Sequence, residues 1–291
     1  MSFVDGQVRV RVPATSANLG PGFDSLGLAL TLFDELAVEV TDSGLEIVVD
    51  GEGAGVVPTG EDNLLFQAMS AAFDLMGETP PGLRLECTNR IPHGRGLGSS
   101  SAAIVAAIVA ARALIVGGED RLDDAAVYQL ATDMEGHPDN VAPALFGGFT
   151  IAWISGAAAE VLRLEVNHDI TVFVPPEPVS TNVARGLLPE TVSHADASAN
   201  SGRAALMVAA LTQSPENLIF ATEDRLHQSY RSAAMPDSYK LMQQLRVEGI
   251  PAVISGAGPT VLAFARGISD WTPEGWAVHE LSIESRGAHI F

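Results

Sequence analysis

A chain of 291 residues exceeds a minimal domain and falls short of three, which leaves one large domain or two closely packed ones. With 47% hydrophobic and 18% charged residues it has material for a substantial core and no disordered majority. The formal net charge of −20 excludes nucleic acid and anionic membrane surfaces as natural partners. Lys240 is the only lysine, so any lysine-dependent phosphate loop or Schiff base would rest on it alone. Its setting, Asp237 to Met242, reads instead as the solvated face of an amphipathic helix. The single cysteine, Cys87, excludes an intramolecular disulfide and a cysteine zinc site. With no basic-then-apolar pattern from Met1 to Gly6, a reducing cytoplasm is expected.

In chain order, Val8 to Val12 alternates as a half-buried strand does, and Pro13 to Phe23 reads as a turn-rich loop. Ser25 to Val40 is apolar but broken at Phe33-Asp34-Glu35. Leu36 to Val40 and Leu45 to Val49 read as strands joined at Asp42-Ser43-Gly44. Gly51 to Gly60 is a surface loop; it resembles a phosphate loop only superficially, because no helix follows at once. Asn63 to Met76 has helical spacing and stops at Gly77, and Gly82 to Thr88 reads as a strand. A glycine loop, Pro92 to Gly98, then leads through three serines into an alanine-rich helix reaching about Val116. That helix is too short for a bilayer and carries Arg112, so it reads as buried. Asp123 to Glu135 is a second helix, strand-like residues follow Gly147-Gly148, and Leu162 to Val174 holds two strand candidates. Pro175, Pro176 and Pro178 punctuate the chain before a mainly helical stretch from Ser180 to Leu245. Ala252 to Ile254 is a strand, Ser255 to Pro259 a turn, and Thr260 to Ala265 a strand or helix start. Hairpins and helix blocks in this order indicate an α+β fold, with a boundary between about Phe149 and Pro178.

Four segments carry chemistry. In Pro92-His93-Gly94-Arg95-Gly96-Leu97-Gly98-Ser99-Ser100-Ser101-Ala102, alternate glycines let backbone N–H groups turn inward. The serines are expected to cap a helix whose positive end faces the same space. This is an anion site suited to polyphosphate, or an ordinary glycine turn before a capped helix. It is neither a Walker loop nor Gly-x-Gly-x-x-Gly, because Ser99 stands where the third glycine would be. The segment Pro13 to Asp24 packs small polar residues after a strand and ends in a carboxylate, or is simply a tight connection. Glu135 to Pro143 offers Glu135, Asp139 and Asn140 as oxygen donors of the kind Mg²⁺ takes, with His137 a base or a structural turn residue. Ser255-Gly-Ala-Gly-Pro-Thr260 is a turn through which a backbone can approach another loop closely.

Together and in this order, the four segments resemble the GHMP kinase superfamily over about Val8 to Phe264. Within it, Pro13 to Asp24 and His137 to Pro143 resemble the branch acting on homoserine, and differ from the mevalonate and galactose branches. The resemblance implies two α+β domains, residues 1–160 (ATP-binding, like domain 2 of ribosomal protein S5) and 161–291 (ferredoxin-like). It implies ATP-dependent phosphorylation of the L-homoserine hydroxyl to O-phospho-L-homoserine, in threonine biosynthesis, with another small-alcohol kinase such as a mevalonate kinase as the alternative. It further implies ATP held by Pro92 to Ala102 with Asn63 near adenine, and Mg²⁺ on Ser100 and Glu135. Asn18, Asp24 and Asn140 fall at the substrate, with Asp24 and Asn140 aligning its hydroxyl, or with Asp24 binding its ammonium instead. Arg185 and Arg231 fall on its carboxylate, Arg225 being the competitor for Arg231. A homodimer is what the family suggests. Many superfamily members carry an aspartate base near position 140; an amide there points to catalysis by positioning and charge neutralisation. The acidic whole-chain charge opposes ATP, so local N–H groups and a metal ion have to overcome it.

Overall fold

The computed structural model describes residues 2–291. Its elements begin β1 (Val8–Ala17), β2 (Leu26–Val40), β3 (Gly44–Gly51), α1 (Leu64–Met76), β4 (Gly82–Asn89) and α2 (Ser99–Ala113). Next come α3 (Gly118–Arg121), α4 (Asp124–Glu135), α5 (Pro138–Phe146), β5 (Phe149–Ser155), β6 (Ala158–Leu164) and β7 (Asp169–Val174). The remainder is α6 (Thr181–Gly186), α7 (His194–Thr212), α8 (Leu218–Ala221), α9 (Gln228–Arg231), α10 (Pro236–Val247), β8 (Ala252–Ile254), β9 (Val261–Ala263), β10 (Ala277–Ser282) and β11 (His289–Ile290).

The architecture is α+β, with two sheets. A seven-stranded sheet runs β11-β1-β2-β4-β3, with β5 pairing β2 lower down and β6 pairing β5. A four-stranded antiparallel sheet runs β10-β7-β9-β8. One apolar cluster is continuous from β1 and β2 through α2 into β7 and β9. Helix α2 occupies its centre, against β1, α1, α4 and α5. Alanine suits that place twice: it is the best helix former, and its small side chain lets neighbours close in on every face.

Several expectations are corrected. Pro13 to Ala17 is not loop; it continues β1, with a bulge between Pro13 and Ala14 that re-aims the strand. The charged pair at Asp34-Glu35 does not break β2, which runs for 15 residues. Asp34 is accommodated because its carboxylate accepts the backbone N–H groups of Arg90 (2.6 Å) and Ile91 (2.9 Å). Strands β2 and β3 follow one another but do not pair. Strand β4 lies between them, antiparallel to β2 and parallel to β3, so 42–44 is a crossing and not a hairpin turn. Helix α2 ends at Ala113, and α5 replaces the turn expected around His137. Pro138 is tolerated there because the first helical residue needs no N–H partner.

Candidate active site

Three segments far apart in sequence are stitched together at the start of α2. Thr15 N donates to Leu97 O (3.0 Å), Gly256 N to Ala17 O (3.1 Å) and Thr260 N to Arg95 O (3.2 Å). The Ser255 hydroxyl donates to Gly96 O (2.6 Å) and lies 2.8 Å from Ser16 Oγ. These contacts explain two of the glycines. A Cβ on Gly96 would sit 2.3 Å from Ser255 O, and one on Gly98 would sit 1.9 Å from Thr15 Oγ1. Both also have positive φ, 74° and 69°.

The serines do not cap α2. Its N-cap is Gly98, which has no side chain to offer, and Ser100 Oγ turns away to donate to Glu135 (2.8 Å). The N-terminal N–H groups of a long buried helix are thereby left for something else. They open on a cavity of about 140 Å³ that also meets Glu135, Asn140, Asp24, Arg185 and Arg231. Burial raises the Glu135 carboxyl above the ordinary range, while the Ser100 hydroxyl and His137 oppose the shift. His137 Nδ1 lies 3.1 Å from Asp139 Oδ1, and that carboxylate pulls the imidazole upward.

The far wall of the cavity is cationic. Arg185 forms a fork to Asp24, Nη2 to Oδ1 at 2.8 Å and Nη1 to Oδ2 at 3.2 Å. Arg231 is 2% exposed. Among the described residues its Nε has no partner, and Nη1 reaches only His227 Nδ1 (3.3 Å) and Gly256 O (3.4 Å). Burial and the neighbouring Arg185 charge both depress its pKa, as expected of a cation without its own counter-anion. Arg225 is exposed on another face, beside Glu223 and Tyr239, so the cavity takes Arg231 and not its competitor.

Other expected site residues also make structural contacts. Asn18 reaches the cavity, but Nδ2 donates to Gly256 O and Oδ1 accepts from Asp24 N, both at 2.9 Å. It holds Asp24 at a positive φ of 54°. Asn140 Oδ1 accepts from Thr15 Oγ1 (2.7 Å). Arg95 is spent on backbone carbonyls, His93 O and Pro176 O, and Leu97 is buried beneath the loop. Thr15, Phe23 and His227 stand behind the cavity lining, against Asn140 and the two arginines, and the sequence singles out none of them individually. Phe23 lies under both Arg185 and Arg231.

A second cavity, about 330 Å³ and mostly apolar, adjoins Ser99 and Ser100 and reaches Asn63, His93, Val57, Cys87 and Asp34. Asn63 borders it as the cap of α1: Oδ1 accepts from Leu65 N, and Nδ2 donates to Pro58 O. Burial pushes the Asp34 carboxyl from 3.8 up to about 6. The folded state thus binds this proton more tightly than the unfolded chain. Asp34 costs nothing below its unfolded value, and stability falls as pH rises towards the folded one. Above that the penalty is constant at about 2–3 kcal/mol. Asp34→Asn keeps an acceptor for Arg90 and Ile91 and loses the charge. It should melt higher than the parent at pH 7, and at about the same temperature near pH 4; thermal melts at the two pH values test this.

The GHMP kinases N terminal domain family matches residues 63–148. A homoserine kinase from Streptomyces avermitilis is 58% identical over 296 aligned positions, covering 99% of this chain and 97% of its own. The chain belongs to the homoserine kinase family. A second homoserine kinase, from Streptomyces coelicolor, is 57% identical over 99% of this chain and 96% of its own. The crystal structure of a homoserine kinase from Cytophaga hutchinsonii superposes with a TM-score of 0.83 at 26% identity, covering 100% of this chain and 99% of that one. An L. major mevalonate kinase in complex with R-mevalonate superposes at 0.65 with 15% identity over 98% of both chains, a likeness of fold alone. In this homoserine kinase family member, the loop, the glycine turn and the arginine pair meet in one cavity.

Proposed function

We propose that this protein transfers the γ-phosphoryl group of ATP to the side-chain hydroxyl of L-homoserine, giving O-phospho-L-homoserine for threonine biosynthesis. The observation that carries the reading is Arg231: a buried guanidinium without a carboxylate, next to the Asp24–Arg185 pair and across from the bare end of α2. A zwitterion with a carboxylate for the arginines and an ammonium for Asp24 fits that wall. Its hydroxyl end then points towards the glycine loop. Sugars lack the carboxylate, and mevalonate lacks the ammonium.

In this reading the segment from Gly94 to Ser101 surrounds the phosphates, and the apolar cavity beside Asn63 takes the nucleoside. Residues 1–160 thus carry the nucleotide, and 161–291 bring the substrate's arginines. The donor set suits Mg²⁺. A partly buried carboxyl and a hydroxyl face the phosphate region, and Mg²⁺ is commonly held by one or two carboxylates plus phosphate oxygens. Ser100 and Glu135 would hold it, and when bound it neutralises phosphate charge. Asn140 aligns the hydroxyl through its Nδ2, because its oxygen is occupied by Thr15. An amide so engaged is no base, and none is needed. A loose phosphoryl-transfer transition state lets the proton leave late, to a phosphate oxygen or water. The buried Cys87, its thiol pushed up to about 12 by burial, suits the proposed cytoplasmic setting. ADP release with homoserine, mevalonate and galactose in parallel tests the assignment. Homoserine should be strongly preferred, and preference for either other acceptor overturns it.

A further inference from the structure

His227 has no role in the chemistry above, yet its side chain is fully buried beside the cation that defines the substrate wall. Its Nε2 lies 2.7 Å from Gly20 O. A carbonyl only accepts, so the hydrogen is on Nε2, and Nδ1 of the neutral ring carries a lone pair. That lone pair faces Arg231 Nη1 at 3.3 Å. The imidazole stacks on Phe23, centroids 5.1 Å apart and planes at 29°, and the Arg231 guanidinium lies over the same ring at 5.3 Å. The nearest carboxylate, Asp224, is 3.7 Å from Nε2 and already accepts the backbone N–H groups of Leu226, His227 and Gln228. Burial holds the imidazole pKa below the ordinary value and Arg231 adds to this, against Asp224 and Asp24.

We propose that His227 is the positioning residue for the substrate's carboxylate. Its unprotonated Nδ1 fixes the Arg231 guanidinium with its free edge towards the cavity, and does so without contributing a negative charge. An aspartate or glutamate in its place would hold the arginine equally well, but would neutralise it and compete with the substrate. A neutral acceptor orients the cation and leaves its charge available. The proposal rests on the reading of Arg231 as the carboxylate site.

Two variants separate the ring's two bonds. His227→Gln retains a donor for Gly20 O and lacks an acceptor at the Nδ1 position; His227→Asn places an oxygen near that position and loses the Gly20 bond. The expected result is a KM for homoserine raised roughly ten-fold in His227→Gln. KM for ATP and kcat at saturating homoserine should change by less than about three-fold, and His227→Asn should recover most of the loss. A folded His227→Gln with wild-type KM for homoserine, an equal rise in both KM values, or an Asn variant as impaired as Gln overturns the proposal. Arg231→Ala is the control. If that change leaves KM for homoserine untouched, the carboxylate reading itself fails; if it raises KM while His227→Gln does not, only the role of His227 fails. Nitrogen-15 shifts of the His227 ring in the intact protein need no variant. At pH 7 they should report a neutral ring protonated on Nε2, and a charged ring or an Nδ1–H tautomer would sink the idea.

Discussion

Arg231→Ala should raise KM for homoserine roughly ten- to a hundred-fold, the worth of a charge-assisted hydrogen bond to a carboxylate, and leave KM for ATP nearly unchanged. Removing a buried ion usually strands its partner, but Arg231 has no carboxylate to strand. The variant strands only the neutral acceptors His227 Nδ1 and Gly256 O, so it should fold with some loss of stability, and a thermal melt separates lost binding from lost structure. Arg225→Ala is the comparison, because that side chain is exposed outside the cavity. If Arg225→Ala reproduces the effect and Arg231→Ala does not, the wrong arginine has been assigned. A homoserine analogue without its carboxylate should be nearly indifferent to the Arg231 change.

Glu135→Gln should lower kcat about a hundred-fold or more at ordinary Mg²⁺, because a neutral amide cannot balance a divalent ion beside three phosphates. The direction of the Glu135 shift adds a second readout. Burial raises its pKa in the free enzyme, and the ionised form is the active one, so wild-type kcat/KM should fall as pH drops through that raised value. This acid limb should start at higher pH than an ordinary glutamate would give, and the Gln variant should lose it. Near-normal turnover, or an unchanged acid limb, would remove Glu135 from the metal site.

Much of this was legible in the sequence because the relevant signals are local. Asn63 and Gly77 bracket α1 as cap residues, and the structure puts the helix between them. The glycine run ahead of Ser99 marked the start of α2. The expected serine caps fail for a physical reason: Gly98 already holds the cap position, so the serines lie within the first turn and Ser100 bonds Glu135, 35 residues away. Helix α5 was hidden by Gly136, Pro138 and Pro143, residues that locally argue against a helix. The β2–β4–β3 order was also out of reach, since pairing depends on strands separated by α1. His227 is the clearest case. Nothing around it signals its partner, because Gly20 is 207 positions away and the contact exists only in the fold.

The stitching of 15–17, 95–97 and 255–260 has a consequence for how the chain reaches its working form. The glycine loop receives its last supports, Ser255 Oγ on Gly96 O and Thr260 N on Arg95 O, from residues about 160 positions further along. During synthesis the N-terminal sheet and α2 can collapse well before those supports exist. Until the chain has passed Thr260 and emerged from the ribosome, the loop lacks its backing wall, and Gly96, with its positive φ, is free to wander. Nucleotide affinity should consequently arrive late and abruptly in the life of a nascent chain. A fragment ending before Ser255 should fold in part and bind ATP poorly, and a separately supplied C-terminal piece should restore the binding.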